Sequence, residues 1–116
     1  PRQCRRCGNT WVDYEEKMTD VNIAVQLLAD AFDDRFDTAM LISADSDLTT
    51  PVQQVRARFP EKRIIVAQPP GRQSVSLTKV ANGYFTVGEA KLRQSQLPAV
   101  VTRQDGFELR CPEYWK

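Results

Sequence analysis

The stretch LISADSDLTTPV, residues 41–52, decides how the chain is interpreted. An apolar run at residues 38–44 stops abruptly, and Asp45 and Asp47 follow with one residue between them. A short apolar run bounded by polar residues is typical of a strand covered on both faces in a parallel sheet. Residues 47–59 then carry apolar side chains at helical spacing. The two carboxylates are therefore predicted where a buried strand ends and a helix begins.

Helical and extended patterns alternate along the rest of the chain. Thr19 is predicted to cap one helix and Ser74 another, because their side chains can accept a hydrogen bond from the first turn. The predicted elements are a helix at residues 19–33, a strand at 62–67, a helix at 74–81, a strand at 83–87 and a helical turn at 89–94. This order predicts an α/β fold with right-handed crossovers and a mostly parallel sheet.

The C-terminal part of the chain predicts a separate β-hairpin. Residues 100–110, VVTRQDGFELR, contain Asp105-Gly106 between two alternating runs, which is a strong type I′ turn signal. Tyr114 and Trp115 follow in a short tail that is expected to dock on the body. We therefore divide the chain into a CxxC-containing segment at residues 1–14, an α/β domain at 15–95, and a hairpin and tail at 96–116.

Composition narrows the function classes. The 116 residues carry 16 Lys plus Arg and 15 Asp plus Glu, and a net charge of +1 favours no particular partner. No apolar run approaches the roughly 20 residues of a membrane helix, and no signal peptide is visible, so no membrane partner is predicted. Three cysteines are an odd count that suits a reducing, cytoplasmic setting. The absence of histidine excludes His-based triads and His metal ligands within this chain.

Cys4 and Cys7 form a CxxC motif followed by Gly8. This pattern resembles one knuckle of a zinc ribbon, in which glycine permits the tight turn. A structural zinc ion normally has four ligands, so the motif predicts half of a Zn²⁺ site that preceding residues or a second subunit would complete. The alternative is a pair of free thiols, or a disulfide formed in handling.

The acidic residues predict a cation site at one rim of the sheet. In open parallel α/β sheets, ligands bind outside the carboxyl ends of the strands, where Asp45 and Asp47 are expected. Asp20 lies at the N-terminal tip of helix 19–33, on its buried face, and an antiparallel return would bring it to the same rim. Neighbouring carboxylates repel, and Mg²⁺ or Mn²⁺ would balance their charge. The alternatives are dipole capping by Asp20, and a helix cap plus a solvated loop residue for the pair.

Residues 15–52, EEKMTDVNIAVQLLADAFDDRFDTAMLISADSDLTTPV, resemble the NYN domain, a branch of the PIN-like nuclease superfamily. Family members carry an E-K-x-x-D-V segment that opens a helix, and a strand that ends in S-[AG]-D-[GS]-D. The matching positions are Glu16, Lys17, Asp20, Val21, Ser43, Asp45, Ser46 and Asp47. Residues 64–87 also resemble the second half of that domain, so the resemblance covers roughly residues 15–90.

The resemblance implies a PIN-like three-layer α/β/α fold and a metal-dependent ribonuclease. Asp20, Asp45 and Asp47 would be the catalytic carboxylates, binding Mg²⁺ or Mn²⁺ or positioning water, and the substrate would be single-stranded RNA. The family's first strand, with an aspartate and then an asparagine, is not found here, and the chain begins at Pro1. We therefore expect an N-terminally incomplete domain with little nuclease activity alone. The exposed edge of strand 38–44 would also invite pairing into a homodimer.

Four further residues are candidates for nucleic-acid contact. Lys17 and Arg72 are predicted to hold RNA phosphates; structural neutralisation of carboxylates by Lys17 and a solvated loop position for Arg72 are the alternatives. Ser43 and Ser46 are predicted beside the metal, with ordinary loop hydrogen bonds as the alternative. A basic group is predicted as a solvated helix end, or else as a phosphate track: Arg56, Arg58, Lys62 and Arg63.

Three function hypotheses follow from these features. The first is a Mg²⁺- or Mn²⁺-dependent ribonuclease of the NYN type. The second is a non-catalytic RNA-binding or protein-interaction module on the same scaffold, whose binding would not respond to EDTA. The third is a different small-molecule or phosphoryl-transfer enzyme that uses the Asp-x-Asp site.

Overall fold

A computed structural model describes residues 1–115 of the chain, and its centre is a three-stranded parallel sheet. Two short antiparallel strand pairs flank this centre in sequence, one at each end. The elements are β1 (Arg2–Gln3), β2 (Thr10–Trp11), α1 (Thr19–Phe32), β3 (Thr38–Ile42), a 3₁₀ helix (Ser46–Leu48), α2 (Thr49–Arg58), β4 (Arg63–Gln68), α3 (Val75–Val80), β5 (Gly83–Thr86), α4 (Glu89–Gln94), β6 (Val100–Thr102), β7 (Glu108–Arg110) and a 3₁₀ turn (Glu113–Trp115).

The central sheet has the order β3-β4-β5, with β4 in the middle and all strands parallel. In this register Leu41 lies beside Val66, and Val66 lies beside Tyr84. The prediction of a mixed α/β fold with a parallel sheet and a C-terminal antiparallel strand pair is confirmed. Among residues 1–115, no helix is long and apolar enough to cross a membrane.

One face of the sheet packs against helices and forms the core. Leu41, Ile64 and Val66 project from alternate positions of their strands, and all three are buried. The residues of the core cluster are Ala31, Leu41, Leu48, Val52, Val55, Ile64, Val66 and Leu77. They come from helices α1, α2 and α3, the 3₁₀ helix, and strands β3 and β4. This core therefore fixes the start of α2 against the end of β3, which is where the aspartates lie.

The outer edge of β3 is open in the described residues. The N–H of Ser43, just past β3, donates to the carbonyl of Ala67 at 3.1 Å. Alternate residues along a parallel strand face the same neighbour, so Met40 and Ile42 turn their backbone groups away from β4. Their side chains are also exposed, at 62% and 70%. Dimerisation through this edge stays a prediction.

Both terminal hairpins lie outside the core cluster. The radius of gyration is 18.9 Å, against about 13 Å for a compact chain of this length. Tyr114 and Trp115 remain 83% and 75% exposed, so the prediction that they dock on the body is wrong. Their rings instead contact each other edge to face, with centroids 6.2 Å apart.

The turn between β6 and β7 differs from the predicted type I′ turn. The N–H of Gly106 donates to the carbonyl of Arg103 at 3.0 Å, and only Gly106 of this loop has a positive φ, at 86°. A type I′ turn needs positive φ at both central residues, so that prediction is wrong. The loop therefore has more than the two residues of a type I′ hairpin. The Asp105 side chain stabilises it, because this side chain accepts the N–H of Phe107 at 3.0 Å and pairs with Arg103 at 2.7 Å.

The cap of α1 is also not the predicted one. The helix begins at Thr19 itself, and the capping position belongs to Met18, with a left-handed φ of 75° and no side-chain cap bond. The predicted Ser74 cap of α3 is confirmed, since its hydroxyl accepts the N–H of Leu77 at 3.2 Å.

Candidate metal centre

Asp45 and Asp47 are held by the turn that joins β3 to α2. The N–H of Asp45 donates to the Ser43 hydroxyl at 3.0 Å, which fixes the chain just after the strand. Oδ1 of Asp45 then accepts the N–H of Asp47 at 2.9 Å and caps the 3₁₀ helix. Leu48, at the end of that helix, is buried in the core and anchors the turn. The local sequence therefore presents both carboxylates at the carboxyl end of β3.

Asp20 reaches the same place from the first turn of α1. One carboxylate oxygen from each of Asp20, Asp45 and Asp47 lies within 4.8 Å of the others. Asp45 is half-buried and Asp47 is exposed. The predicted convergence of three acidic side chains at one rim is thus what the structure shows, whereas their catalytic and metal-binding roles stay predictions.

Contacts within the cluster perturb the protonation of Asp20. A hydrogen bond with Asp45 raises the pKa of Asp20 above its ordinary value, and partial desolvation and the charges of Asp45, Asp47 and Glu16 act in the same direction. The charge of Glu16 makes the smallest of these contributions, and Glu16 is not one of the three clustered side chains.

None of the described lysines and arginines pairs directly with the acidic cluster. Within residues 1–115, no lysine or arginine forms an ion pair of 4.0 Å or less with any of the three aspartates. The concentrated negative charge therefore stays uncompensated by the described part of the chain. A cation is the simplest group that would compensate it.

A cleft of about 400 Å³ opens beside the cluster. The residues that line it are Asp20, Ser43, Ala44, Asp45, Ser46, Pro69 and Arg72. Arg72 is carried by a turn in which its N–H donates to the carbonyl of Pro69 at 3.3 Å, and Gly71 supplies the positive φ of 75°. The structure therefore brings three predicted nucleic-acid contacts to the cleft: Arg72, Ser43 and Ser46. Their roles toward RNA stay predictions.

Lys17 is placed differently from those three. It lines a neighbouring pocket of about 350 Å³ together with Pro1, Arg2, Asp13 and Glu15. It is absent from the lining of the acidic cleft. A phosphate contact by Lys17 stays a prediction, and it would require RNA to extend from the cleft toward the N-terminal segment.

The donor set suits a small hard cation. All three candidate ligands are carboxylate oxygens, which Mg²⁺ and Mn²⁺ prefer. With Mg–O bonds of about 2.1 Å, two opposite ligands of one ion lie about 4.2 Å apart. Neighbouring ligands of such an ion lie about 3.0 Å apart. The three oxygens, which lie within 4.8 Å of one another, would therefore move closer together to share one ion.

The cysteines lie away from this cluster, in the two terminal hairpins. Cys4 and Cys7 occupy the turn between β1 and β2, and both are free thiols. Cys111 follows β7 and is half-buried. Among residues 1–115, the cluster of three aspartates is the only group of three or more such side chains close enough to share an ion. The predicted Zn²⁺ pair thus has no third ligand from its own described chain.

Comparison with known proteins agrees with this geometry. The sequence model of the NYN domain matches residues 3–93, most of the chain. The protein belongs to the NYN domain family, which has a PIN-like nuclease fold. The match begins before the domain start predicted at residue 15, and the three-part division stays a prediction.

Two similar proteins extend the comparison. The chain is 33% identical over 106 residues to 6-hydroxy-3-succinoylpyridine 3-monooxygenase HspA of Pseudomonas putida, with 87% of this chain and 33% of that protein aligned. A crystal structure of a protein of unknown function from Vibrio parahaemolyticus is similar with a TM-score of 0.54 and 26% identity, over 77% of this chain and 50% of that one. The chain thus spans about a third of the length of the curated relative it matches.

Proposed function

We propose that this chain carries the acidic metal site of a Mg²⁺- or Mn²⁺-dependent ribonuclease domain. In the whole protein, this domain would hydrolyse RNA phosphodiesters. The observation that carries the proposal is the cluster of three carboxylates, within 4.8 Å of one another and without a basic partner in residues 1–115. Family membership adds weight, because NYN domains have a PIN-like nuclease fold.

Asp20, Asp45 and Asp47 would hold the ion. The bound cation would supply Lewis-acid stabilisation of the phosphoryl oxygens and a more acidic water. The protein's own contribution is positional. Asp45 is held at its backbone by Ser43 and at its carboxylate by the N–H of Asp47, so this side chain of the cleft has little freedom.

Among the described residues that line the cleft, Arg72 is the one with a cationic side chain. A guanidinium can hold a phosphate through two parallel hydrogen bonds, and it stays charged at every relevant pH. In the cleft that also contains Asp20 and Asp45, Arg72 would bind the RNA backbone while the carboxylates bind the ion. The exposed Ser46 adds a neutral hydroxyl donor to the same cleft. Backbone contacts of this kind predict binding of single-stranded RNA with little dependence on base sequence.

The test measures metal binding and cleavage separately. Binding of Mn²⁺ to this chain is followed by the loss of the free-ion electron paramagnetic resonance signal, with Asp105→Asn as a matched control outside the cluster. Cleavage of single-stranded RNA is followed in the intact protein and in the 116-residue chain. We expect Mn²⁺ binding in both and robust cleavage in the intact protein alone, because the family's first-strand aspartate is not found here.

Two outcomes would contradict the proposal. If Asp45→Asn bound Mn²⁺ as well as the wild type, the ion would not be bound by the aspartate cluster. RNA binding by the intact protein that persists in EDTA, without any cleavage, would indicate the non-catalytic binding module instead.

A second candidate function comes from the Pseudomonas relative, whose name describes a monooxygenase that acts on a hydroxylated pyridine. The 33% identity over 87% of this chain is the observation that favours it. Hydroxylation of a pyridine ring by O₂ consumes two electrons, which a reduced nicotinamide or flavin would supply. Oxygen uptake by the intact protein with 6-hydroxy-3-succinoylpyridine and such a reductant would support this function, provided that Asp45→Asn abolishes it.

A further inference from the structure

The hairpin β1-β2 is built around its two cysteines. The N–H of Cys4 donates to the carbonyl of Asn9 at 2.8 Å, and the N–H of Gly8 donates to the carbonyl of Cys4 at 2.9 Å. Gly8 has a φ of 73°, a conformation that an L side chain rarely adopts. These bonds close a tight turn between β1 and β2, and both cysteines lie in it.

The sulfur of Cys4 already has the environment of a metal-bound thiolate. Backbone N–H groups of Cys7 and Arg6 hydrogen-bond to it, and the Cys7 thiol adds a further hydrogen bond. The same peptide N–H groups stabilise negative charge on cysteine sulfur in structural zinc sites, where they orient the ligand. The contact between the two thiols shows that both sulfurs point toward one place.

One copy of these 116 residues holds three thiols, one fewer than a four-thiolate site needs. Structural zinc is tetrahedral and binds four sulfur or nitrogen ligands. The sequence contains no histidine and only one further cysteine, Cys111. Cys111 follows the C-terminal hairpin and contacts the carbonyl of Pro112 at 3.7 Å. Within residues 1–115 it does not join Cys4 and Cys7 in a group that could share an ion.

We propose that Cys4 and Cys7 are one half of a four-thiolate Zn²⁺ site, and that in this chain a second copy supplies the other half through its own Cys4 and Cys7. Four thiolates and one Zn²⁺ carry a net charge of −2. Arg5 and Arg6 of each copy bring four positive charges to the same place and offset it. Zinc binding therefore joins two chains through their N-terminal hairpins, away from the aspartate cluster.

The test uses the reduced chain with Co²⁺ and Zn²⁺ as probes. Co²⁺ titration is expected to give a thiolate-to-cobalt charge-transfer band and the visible spectrum of tetrahedral cobalt, saturating at one ion per two chains. Zn²⁺ is expected to displace the cobalt and to convert monomer into dimer in analytical ultracentrifugation. Cys4→Ser and Cys7→Ser are each expected to abolish the charge-transfer band and the zinc-dependent dimer, while Cys111→Ser and Asp45→Asn keep both.

Several results would overturn the proposal. These are one thiolate-bound ion per monomeric chain, a charge-transfer band that survives Cys7→Ser, or no band at all in the reduced protein. Circular dichroism of Cys4→Ser and Cys7→Ser checks that a lost band reflects a lost ligand, since both cysteines lie outside the core cluster and the fold is expected to be retained.

Discussion

The N–H of Asp47 donates to Oδ1 of Asp45 at 2.9 Å, so one carboxylate serves both as the cap of a 3₁₀ helix and as a member of the acidic cluster. These two tasks make different demands on the side chain. Capping needs only an acceptor oxygen, which an amide also offers. Binding a cation requires the negative charge of the carboxylate. Substitutions at Asp45 can therefore separate the fold from the proposed metal site.

Asp45→Asn is expected to keep or raise stability in the absence of metal. The amide oxygen retains the cap, and removal of one charge relieves repulsion with Asp20 and Asp47. Asp45→Ala loses the cap and is expected to reduce the free energy of unfolding by about 1 kcal/mol. Urea denaturation of the metal-free proteins measures both. A loss of stability in Asp45→Asn as large as in Asp45→Ala would contradict this account of the turn.

Asp20→Asn and Asp47→Asn are each expected to weaken Mn²⁺ binding at least about tenfold, or about 1.4 kcal/mol, because each removes one charged oxygen ligand. In the intact protein, cleavage of single-stranded RNA is expected to fall by at least about 100-fold. Titration calorimetry and a gel assay measure the two effects. Asp105→Asn, in the C-terminal hairpin, serves as the matched control and is expected to change neither.

Arg72→Ala is expected to weaken RNA binding about tenfold and to leave Mn²⁺ affinity unchanged, since Arg72 lines the cleft without pairing to an aspartate. Arg72→Lys keeps the charge but loses the bidentate geometry, so it is expected to recover only part of the affinity. Fluorescence anisotropy with a short single-stranded RNA measures this. Arg93→Ala, at an exposed position in α4, provides the control; an equal loss there would indicate non-specific charge effects.

Stability in acid is expected to depend on Asp34. Lys62 hydrogen-bonds to Asp34 and lowers the pKa of that carboxyl. A carboxyl whose pKa is lower in the folded state contributes its full stability above its unfolded pKa of about 3.9, and loses it as the pH falls through the lowered value. Asp34→Asn is therefore expected to be less stable near neutral pH and to show a flatter decline below about pH 4.

Thermal denaturation between acidic and neutral pH measures this dependence. Asp105→Asn is a suitable comparison, because Asp105 pairs with Arg103 where both side chains are more than half exposed, and such pairs contribute little. A wild-type pH profile in Asp34→Asn would show that the pair with Lys62 does not contribute to stability in acid.

The sequence predicted the α/β framework because its local patterns agree with the tertiary structure. The apolar runs of β3 and β4 are covered by helices on one face, and Ser74 caps α3 through its own side chain. Convergence of the acidic residues was predictable for the same reason, since the carboxyl ends of parallel strands define one rim. Asp20 could be added because the connection from α1 to β3 is short.

Lys62 shows what local patterns could not reveal. The sequence places it in a basic group expected at a solvated helix end, yet it is only 3% exposed. Its ammonium donates to the carbonyl of Phe36 at 2.7 Å and lies 5.3 Å from the centre of the Phe36 ring. These partners come from the loop after α1, far away in sequence. The long aliphatic stem and the remote acceptors make burial of this lysine a tertiary property.

Asp20 and Asp45 belong to elements that meet only in the native state, one at the start of α1 and the other beyond the end of β3. An ion bound by both residues would link α1 to the end of β3. In the unfolded chain the two carboxylates are not held together, so the ion would bind there much more weakly. Mass action then makes the melting temperature rise with the concentration of free Mn²⁺. The melting temperature would therefore serve as a measure of how much of the folded protein has a bound cation.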